Sequence, residues 1–537
     1  MSYFTDITTI PPVCVVTTGD EDSLKRFHVP VNGTAKDGIS VLLERSDNGV
    51  RIYLTADGTP VSWVRLTFPA EFPAGTLFLG DEWERGYGTL SWRGMSVERH
   101  MPWYFAAYHR ESRTFGGYGV RVRPGAMCVW GTDAGNISLY LDVRSRGRGV
   151  VLSGRRLMAA EIVFMQADDT DAYDGLRSFC KLMCGDPRLP EKPVYGFNNW
   201  YYAYGRSSRE DILADADLLS DVTEGLENRP FMTIDAGWEI IKPGQAMWSG
   251  GREGYGDMAR LASDIASRGV IPGIWMRPLK ENADAVPDEW MLPANSGGER
   301  YLDPTVPEVL DYVKEQVSRI VRWGYRLIKH DFTTYDMFGL WGKDMGFSVT
   351  DSASSFSDRG ITSAEAVSNL YGTIREAAGD TVIIGCNTIP HLSAGIFELS
   401  RIGDDTSGLY WDRTRRMGVN ALAFRLAHNG VFYMDDADCV GIIDKQSIPF
   451  ELNKRWMDLV ARSGSPLFIS CNPEAADDEV KAAMREAFRA NSEQRDDTRP
   501  LDWLDNSCPR EWLINGRRET FVWHDKDGYD AISDPRT

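Results

Sequence analysis

The hydrophobic rhythm of the chain changes once, near residue 194. Before that point, short apolar runs are separated by turn formers. Residues 38–68 contain GISVLLE, GVRIYLT and VSWVRLTF with DNG and DGTP between them. Runs rich in β-branched and aromatic residues, bounded by Gly, Pro, Asn and Asp, read as antiparallel strands. The pattern continues through GYGVRVR, AMCVWGT, ISLYLDV and AAEIVFM with no amphipathic helix between them. Residues 1–188 are therefore expected to form a β-sandwich. A helix-like stretch, AYDGLRSFCKLMCG, and the Pro-rich DPRLPEKPVYG close this region.

Beyond it, strand-like runs at 194–200, 230–238, 270–276, 325–331, 381–387, 399–405, 430–436 and 466–470 alternate with helical segments such as REDILADADLLSDV and PEVLDYVKEQVSRIVRWG. The second of these starts on Pro, ends at Gly and carries apolar residues at helical spacing. Repeated strand-then-helix units over 189–470 predict a (β/α)8 TIM barrel. An open doubly wound sheet is the alternative, but no G-x-G-x-x-G follows the first strand. Residues 471–537 hold one helix-like run, DEVKAAMREAFRA, and are expected to be a short C-terminal extension, the start of a small β-domain that is either reduced or cut short. Trp503, Trp512 and Trp523 would then need a partner to cover them, which favours a homo-oligomer.

Composition narrows the function classes. The chain has 537 residues and a net charge of −19, which disfavours nucleic acid and anionic membrane surfaces as partners. No stretch approaches the roughly twenty apolar residues of a membrane span, and MSYFTDITTIPPVCVV lacks the basic start and apolar core of a signal peptide. A cytoplasmic location is expected. The eight Cys show no paired zinc spacing, so neither metal nor cofactor is expected.

In a parallel barrel the C-terminal strand ends converge on one site. Here they bring Trp200, Asp235, Trp275 with Arg277, Lys329 with Asp331, Asn387, Arg401 with Asp404 and Asp405, and Asp436 with Asp438. Lys329 would keep Asp331 ionised. Indoles stack on the apolar faces of pyranoses and carboxylates accept from their hydroxyls, so this mixture suits a carbohydrate. Only His330 and His391 fall near strand ends, which disfavours zinc and Ser-His-Asp chemistry. Two acids without a cofactor motif point to a glycosidase. Asp81, Glu82, Trp83 and Trp92 of the first region could form a sugar-facing rim, although packing is the more usual role for such residues.

VYGFNNWYYAYG, TIDAGW, GIWMRP, LDPTVPEVLDYV, IKHD and SRIGDD, in that order, resemble the melibiase-type α-galactosidases of glycoside hydrolase families 36 and 27 and, more distantly, family 31. The resemblance implies a retaining exo-glycosidase acting on an oligosaccharide or glycoside. Asp331 maps to its nucleophile. For the acid/base, Gly403-Asp404-Asp405-Thr406 aligns best on Asp404, with Asp405 as the neighbouring anion that favours its protonation. By the same carry-over Arg401 touches the sugar near C2 and C3, Lys329 the ring hydroxyls, and Trp200, Asp235, Trp275 and Asn387 line the sugar-binding end. The chain departs from the family where a second acid should follow Asp235, since Ala236 stands there. This permits a sugar lacking or modified at C6, such as a β-L-arabinopyranoside. Arg277 replaces an acid of family 36 and is a candidate for an acidic substituent, or else the partner of a structural carboxylate. A transglycosylase resembling raffinose synthase and a non-catalytic sugar-binding protein are the alternatives.

Overall fold

The structure is a computed structural model that describes residues 3–20, 23–350, 352–443, 448–493 and 497–523. The first region forms two six-stranded antiparallel sheets. Strand Val61–Pro69 shows why: its alternate residues Val64, Leu66 and Phe68 are buried while Arg65 faces out, the period of a sheet with one face on a core. Helix Ala172–Met183, capped by the Asp171 side chain, follows.

From Tyr195 the chain builds a curled sheet of nine parallel strand segments. In spatial order they are Met434–Asp436, Leu399–Arg401, Val382–Gly385, Leu327–His330, Ile271–Met276, Phe231–Ile234, Tyr195–Asn198, Leu467–Cys471 and Cys439–Ile442. Segments such as Phe231–Ile234 and Leu327–His330 are buried at every position, which explains why they are apolar but for Thr233, Lys329 and His330. The two outermost segments are neighbours in sequence. Met434–Asp436 pairs with Leu399–Arg401, and Cys439–Ile442 pairs with Leu467–Cys471. The chain crosses between them at Asp438, whose φ is +70°, so the sheet returns on itself there.

Helices cover the sheet between strands. Arg209–Val222 starts in a capping box of Ser208 and Asp211, and Ser363–Ala378 in one of Thr362 and Glu365. Pro307–Trp323 has Pro in its first turn and stops at Gly324, φ +104°. Helix Asp478–Asn491 also belongs to this layer: its Phe488 ring lies 5.5 Å from Tyr195 and 6.0 Å from Phe197 of the first segment. The helical layer thus extends past residue 470. A three-stranded sheet of Arg499–Pro500, Glu511–Ile514 and Arg517–Thr520 ends the described chain, and the part of the expected C-terminal extension at 524–537 lies outside the described residues.

The sequence left three tryptophans in need of a partner; the fold covers them. Trp503 is 4% exposed and packs on Trp92 and Phe424, while Trp512 and Trp523 are fully buried and both donate to the Pro509 carbonyl. The argument for an oligomer from those residues therefore falls away. Of the rim expected of Asp81, Glu82, Trp83 and Trp92, three residues are likewise interior and Glu82 is half-buried. Asp81 is paired with Arg425, Trp83 packs edge-on against Trp103, and Trp92 is 6% exposed.

Candidate active site

A cavity of about 520 Å³ opens where the parallel strands end. Of the ten residues that the resemblance assigns to the site, nine line it: Trp200, Asp235, Trp275, Lys329, Asp331, Asn387, Arg401, Asp404 and Asp405; Asp436 and Asp438, also expected at the strand ends, are not in its lining. Ala236 is in its wall as well.

Asp331 follows directly on the strand Leu327–His330, and its N–H donates to the Met276 carbonyl. Its carboxylate receives the Trp275 indole N–H at 2.9 Å on Oδ2 and the Phe332 amide at 2.8 Å on Oδ1. Phe332 has φ +65°, a left-handed conformation that costs a bulky residue energy and turns its amide back on the carboxylate. Lys329 was expected to pair with Asp331. Its Nζ instead meets Asp235 Oδ2 at 2.7 Å, where the Asn198 amide also donates at 2.7 Å. Burial opposes the charge on Lys329, but Asp235 foremost and Asp331 after it hold the ammonium well above its usual range.

The two acids after Arg401 differ in their surroundings. Asp404 has a guanidinium on each oxygen: Arg85 Nη1 at 3.1 Å from Oδ1 and Arg413 Nη2 at 2.5 Å from Oδ2. Burial would raise its proton affinity, but these two cations outweigh that and hold the carboxyl below the usual carboxylate range. Asp405 is reached by Arg401 Nη2 at 3.1 Å, and Arg401 is shared with Asp438 at 2.8 Å. The Asp405 side chain is 36% exposed, against 20% for Asp404. Arg85 also lies 3.9 Å from Asp405, so each of the two acids has two guanidiniums within ion-pair distance. Arg413 opens a π-helical stretch, Thr414–Asn420, a local distortion that often accompanies functional sites.

Arg277 is the tenth residue, and it does not reach this cavity. Its guanidinium is taken by Asp336 in a forked pair, with Nη2 at 2.6 Å and Nε at 3.1 Å, and lies 4.3 Å over the Phe332 ring. The role as partner of a structural carboxylate is the one the contacts show. Asn387, φ +45°, donates through Nδ2 to Glu84 Oε1 at 3.2 Å.

Glu84 brings in a segment that the sequence reading did not find. Arg85, Tyr87 and Thr89 of the first region line the cavity, joined by Phe332, Trp341, Lys343, Asp344, Arg413, Arg416 and Met417. The Gly86 N–H donates to the Ile402 carbonyl at 2.7 Å, in a parallel bridge to Gly403. The only trace of this in the sequence is ERGYGT, two charges and two glycines around a Tyr in a stretch without strand periodicity.

Solved structures share this arrangement of sheets. The chain has the fold of the family 36 α-galactosidases. TtGalA from Thermus thermophilus, solved with p-nitrophenyl α-D-galactopyranoside, matches with a TM-score of 0.60 at 16% identity, over 89% of this chain and 98% of its own. AgaA from Geobacillus stearothermophilus, a family 36 α-galactosidase, matches at 0.58 and 12% identity over 89% and 75%. The galactosidase domain of AgaSK, an α-galactosidase–sucrose kinase, matches at 0.57 and 15% identity over 89% and 73%. No protein-family model matches the chain.

Proposed function

We propose that the chain is a retaining exo-glycosidase acting on α-galactoside-like linkages, with an N-terminal β-sandwich set against a closed (β/α)8 barrel. The observation that carries the reading is the division of labour among the cavity acids. Among the described residues, Asp331 is bonded only by neutral N–H groups at its oxygens, so its lone pairs are held in place without a cation competing for them. It attacks the anomeric carbon as nucleophile. Asp405, half-exposed at the cavity wall, donates the proton to the leaving oxygen and later takes one from water. The alternative acid is Asp404, the choice that the sequence alignment favours. The fold shared with TtGalA, solved with stachyose and with an aryl galactoside, supports a galactoside-like substrate.

At the far end of the cavity the wall carries Ala236, and the adjacent Asp235 is already occupied by Lys329, Asn198 and the Ala236 amide. A grip on a C6 hydroxyl is therefore weak, and sugars lacking or modified at C6 are favoured. The test is a panel of aryl glycosides, including α-galactoside and β-L-arabinopyranoside, with the first-formed anomer followed by proton NMR. Retention with turnover of either sugar supports the reading; inversion, or no turnover of any member, overturns it.

A further inference from the structure

We propose that Glu84, carried in by the N-terminal region, is a positioning residue that turns the side-chain amide of Asn387 so that its oxygen faces the cavity and accepts a hydrogen bond from one hydroxyl of the bound sugar. This deepens the reading above and rests on a sugar as the ligand. Which of the two adjacent acids carries the proton does not enter.

Asn387 follows the strand Val382–Gly385 and lines the cavity. Its backbone is held in the left-handed conformation described above, with its carbonyl accepting the Thr334 amide at 3.2 Å and the Thr334 hydroxyl at 2.9 Å. The side chain has one protein partner among the described residues, Glu84 Oε1, to which Nδ2 donates at 3.2 Å. Asn387 is 3% exposed, and its Oδ1 accepts nothing from the described residues. That oxygen is therefore the end of the amide left for a ligand in the cavity, and a sugar hydroxyl is a donor of the right kind.

A primary amide can present either end, and its partner decides which. Glu84 is 1% exposed and collects donors from three places: Asn387 Nδ2, the Tyr87 hydroxyl on Oε2 at 3.4 Å, and the Gly342 amide. Burial raises its proton affinity, with Arg85 and these donors opposing the rise. Whether the proton is absent or sits on Oε2, Oε1 remains an acceptor, so the end of Asn387 that meets it is the nitrogen and the oxygen is turned away. Glu84 itself is held firmly. Asp81 before it pairs with Arg425, the Gly86 N–H after it donates to the Ile402 carbonyl at 2.7 Å, and a side chain at Gly342 would collide with the Tyr87 hydroxyl. Glu84 is not in the cavity lining, so it acts on the sugar through Asn387.

The experiment measures kcat/KM of wild type, Asn387→Ala, Glu84→Met and Glu84→Gln on an aryl glycoside and on its 2-, 3- and 4-deoxy analogues. Variant-to-wild-type ratios are compared, because the intrinsic reactivity of each analogue cancels in them. Asn387→Ala and Glu84→Met are expected to lose about tenfold, the size of one hydrogen bond, on every substrate except the one analogue that lacks the hydroxyl held by Asn387, and that analogue should be the same for both. Glu84→Gln, which keeps an acceptor oxygen, should recover part of the loss. A Glu84→Met loss equal on all four substrates shows a merely structural role and overturns the proposal. Should that variant fail to fold, an Asn387→Ala loss equal on all four overturns it alone. Asparagine labelled with nitrogen-15 reads the amide without any substrate: the Asn387 side-chain protons, assigned with Asn387→Ala, should exchange with solvent at least about tenfold faster once Glu84→Met removes their acceptor. Unchanged exchange overturns the proposal whether or not the chain turns over any glycoside.

Discussion

The Trp275 indole N–H donates to Asp331 Oδ2 across neighbouring strands, whose register sets Trp275 beside Lys329. The bond fixes one carboxylate oxygen, and the Phe332 amide fixes the other. Asp331→Asn keeps the shape and removes the nucleophile, so turnover of activated aryl glycosides should fall by at least about a thousandfold with an unchanged melting temperature. Added azide should restore activity and give an inverted product. Activity within tenfold of wild type would falsify the assignment.

The acid is distinguished by leaving group. A proton donor matters little when the leaving group is already good. Asp405→Ala should therefore be severe on alkyl or sugar leaving groups and mild on dinitrophenyl ones, and Asp404→Ala should impair both alike. Brønsted plots of kcat/KM for the two variants decide between them; the contrast appearing at Asp404 would restore the choice made from the sequence.

Ala236 bears on specificity. A buried charge-assisted hydrogen bond contributes roughly 1.5–3 kcal/mol. Ala236→Asp should accordingly move the ratio of kcat/KM for α-galactoside over β-L-arabinopyranoside toward galactoside by about tenfold to a hundredfold. A strong wild-type preference for galactoside that the substitution leaves untouched would refute the C6 reading.

Arg277 should behave as a structural residue. Asp336 is wholly buried at its side chain and depends on that guanidinium. Arg277→Met leaves an uncompensated buried charge and should cost about 3–5 kcal/mol in denaturant unfolding. A variant as stable as wild type but with a raised KM for anionic glycosides would return Arg277 to the substrate.

The clamp on Asp404 also sets a pH dependence of stability. Its folded proton affinity is lowered, so its contribution is complete above the unfolded carboxyl value of about 3.9 and disappears as pH falls through the lower folded value. Asp404→Asn should thus reduce the melting temperature at neutral pH, with the gap to wild type closing on strong acidification. A gap that widens toward acid would contradict the ion pairs.

The strands were legible because buried parallel segments such as Phe231–Ile234 and Leu327–His330 are mostly apolar and lead into the carboxylates Asp235 and Asp331. The residues at those ends were legible for the same reason, which is why nine of the twelve meet in one cavity. Side-chain pairing was not. Whether Lys329 faces Asp331 or Asp235 depends on strand register, and Arg85, which reaches both Asp404 and Asp405, arrives from another part of the fold. The run 430–436 read as one complete strand. Its continuation, Cys439–Ile442, was hidden by Asp435, Asp436 and Asp438, which look like a turn and are buried. The three C-terminal tryptophans show a similar limit, since apolar residues in a short tail reveal a need for cover but not who supplies it.

Asp438 stands where the sheet changes pairing partners, and it also receives Arg401, the Thr406 amide at 2.7 Å and the Tyr201 hydroxyl. The two edges of the curled sheet are therefore tied to the cavity wall through one carboxylate. A ligand that engages Arg401 is linked to that carboxylate, and a ligand bound only by the folded chain adds stability as its concentration exceeds its Kd. The amides of Cys439–Ile442, which bond to the neighbouring strand rather than to any ligand, become reporters of occupancy: their slow exchange with solvent measures how firmly the cavity is filled.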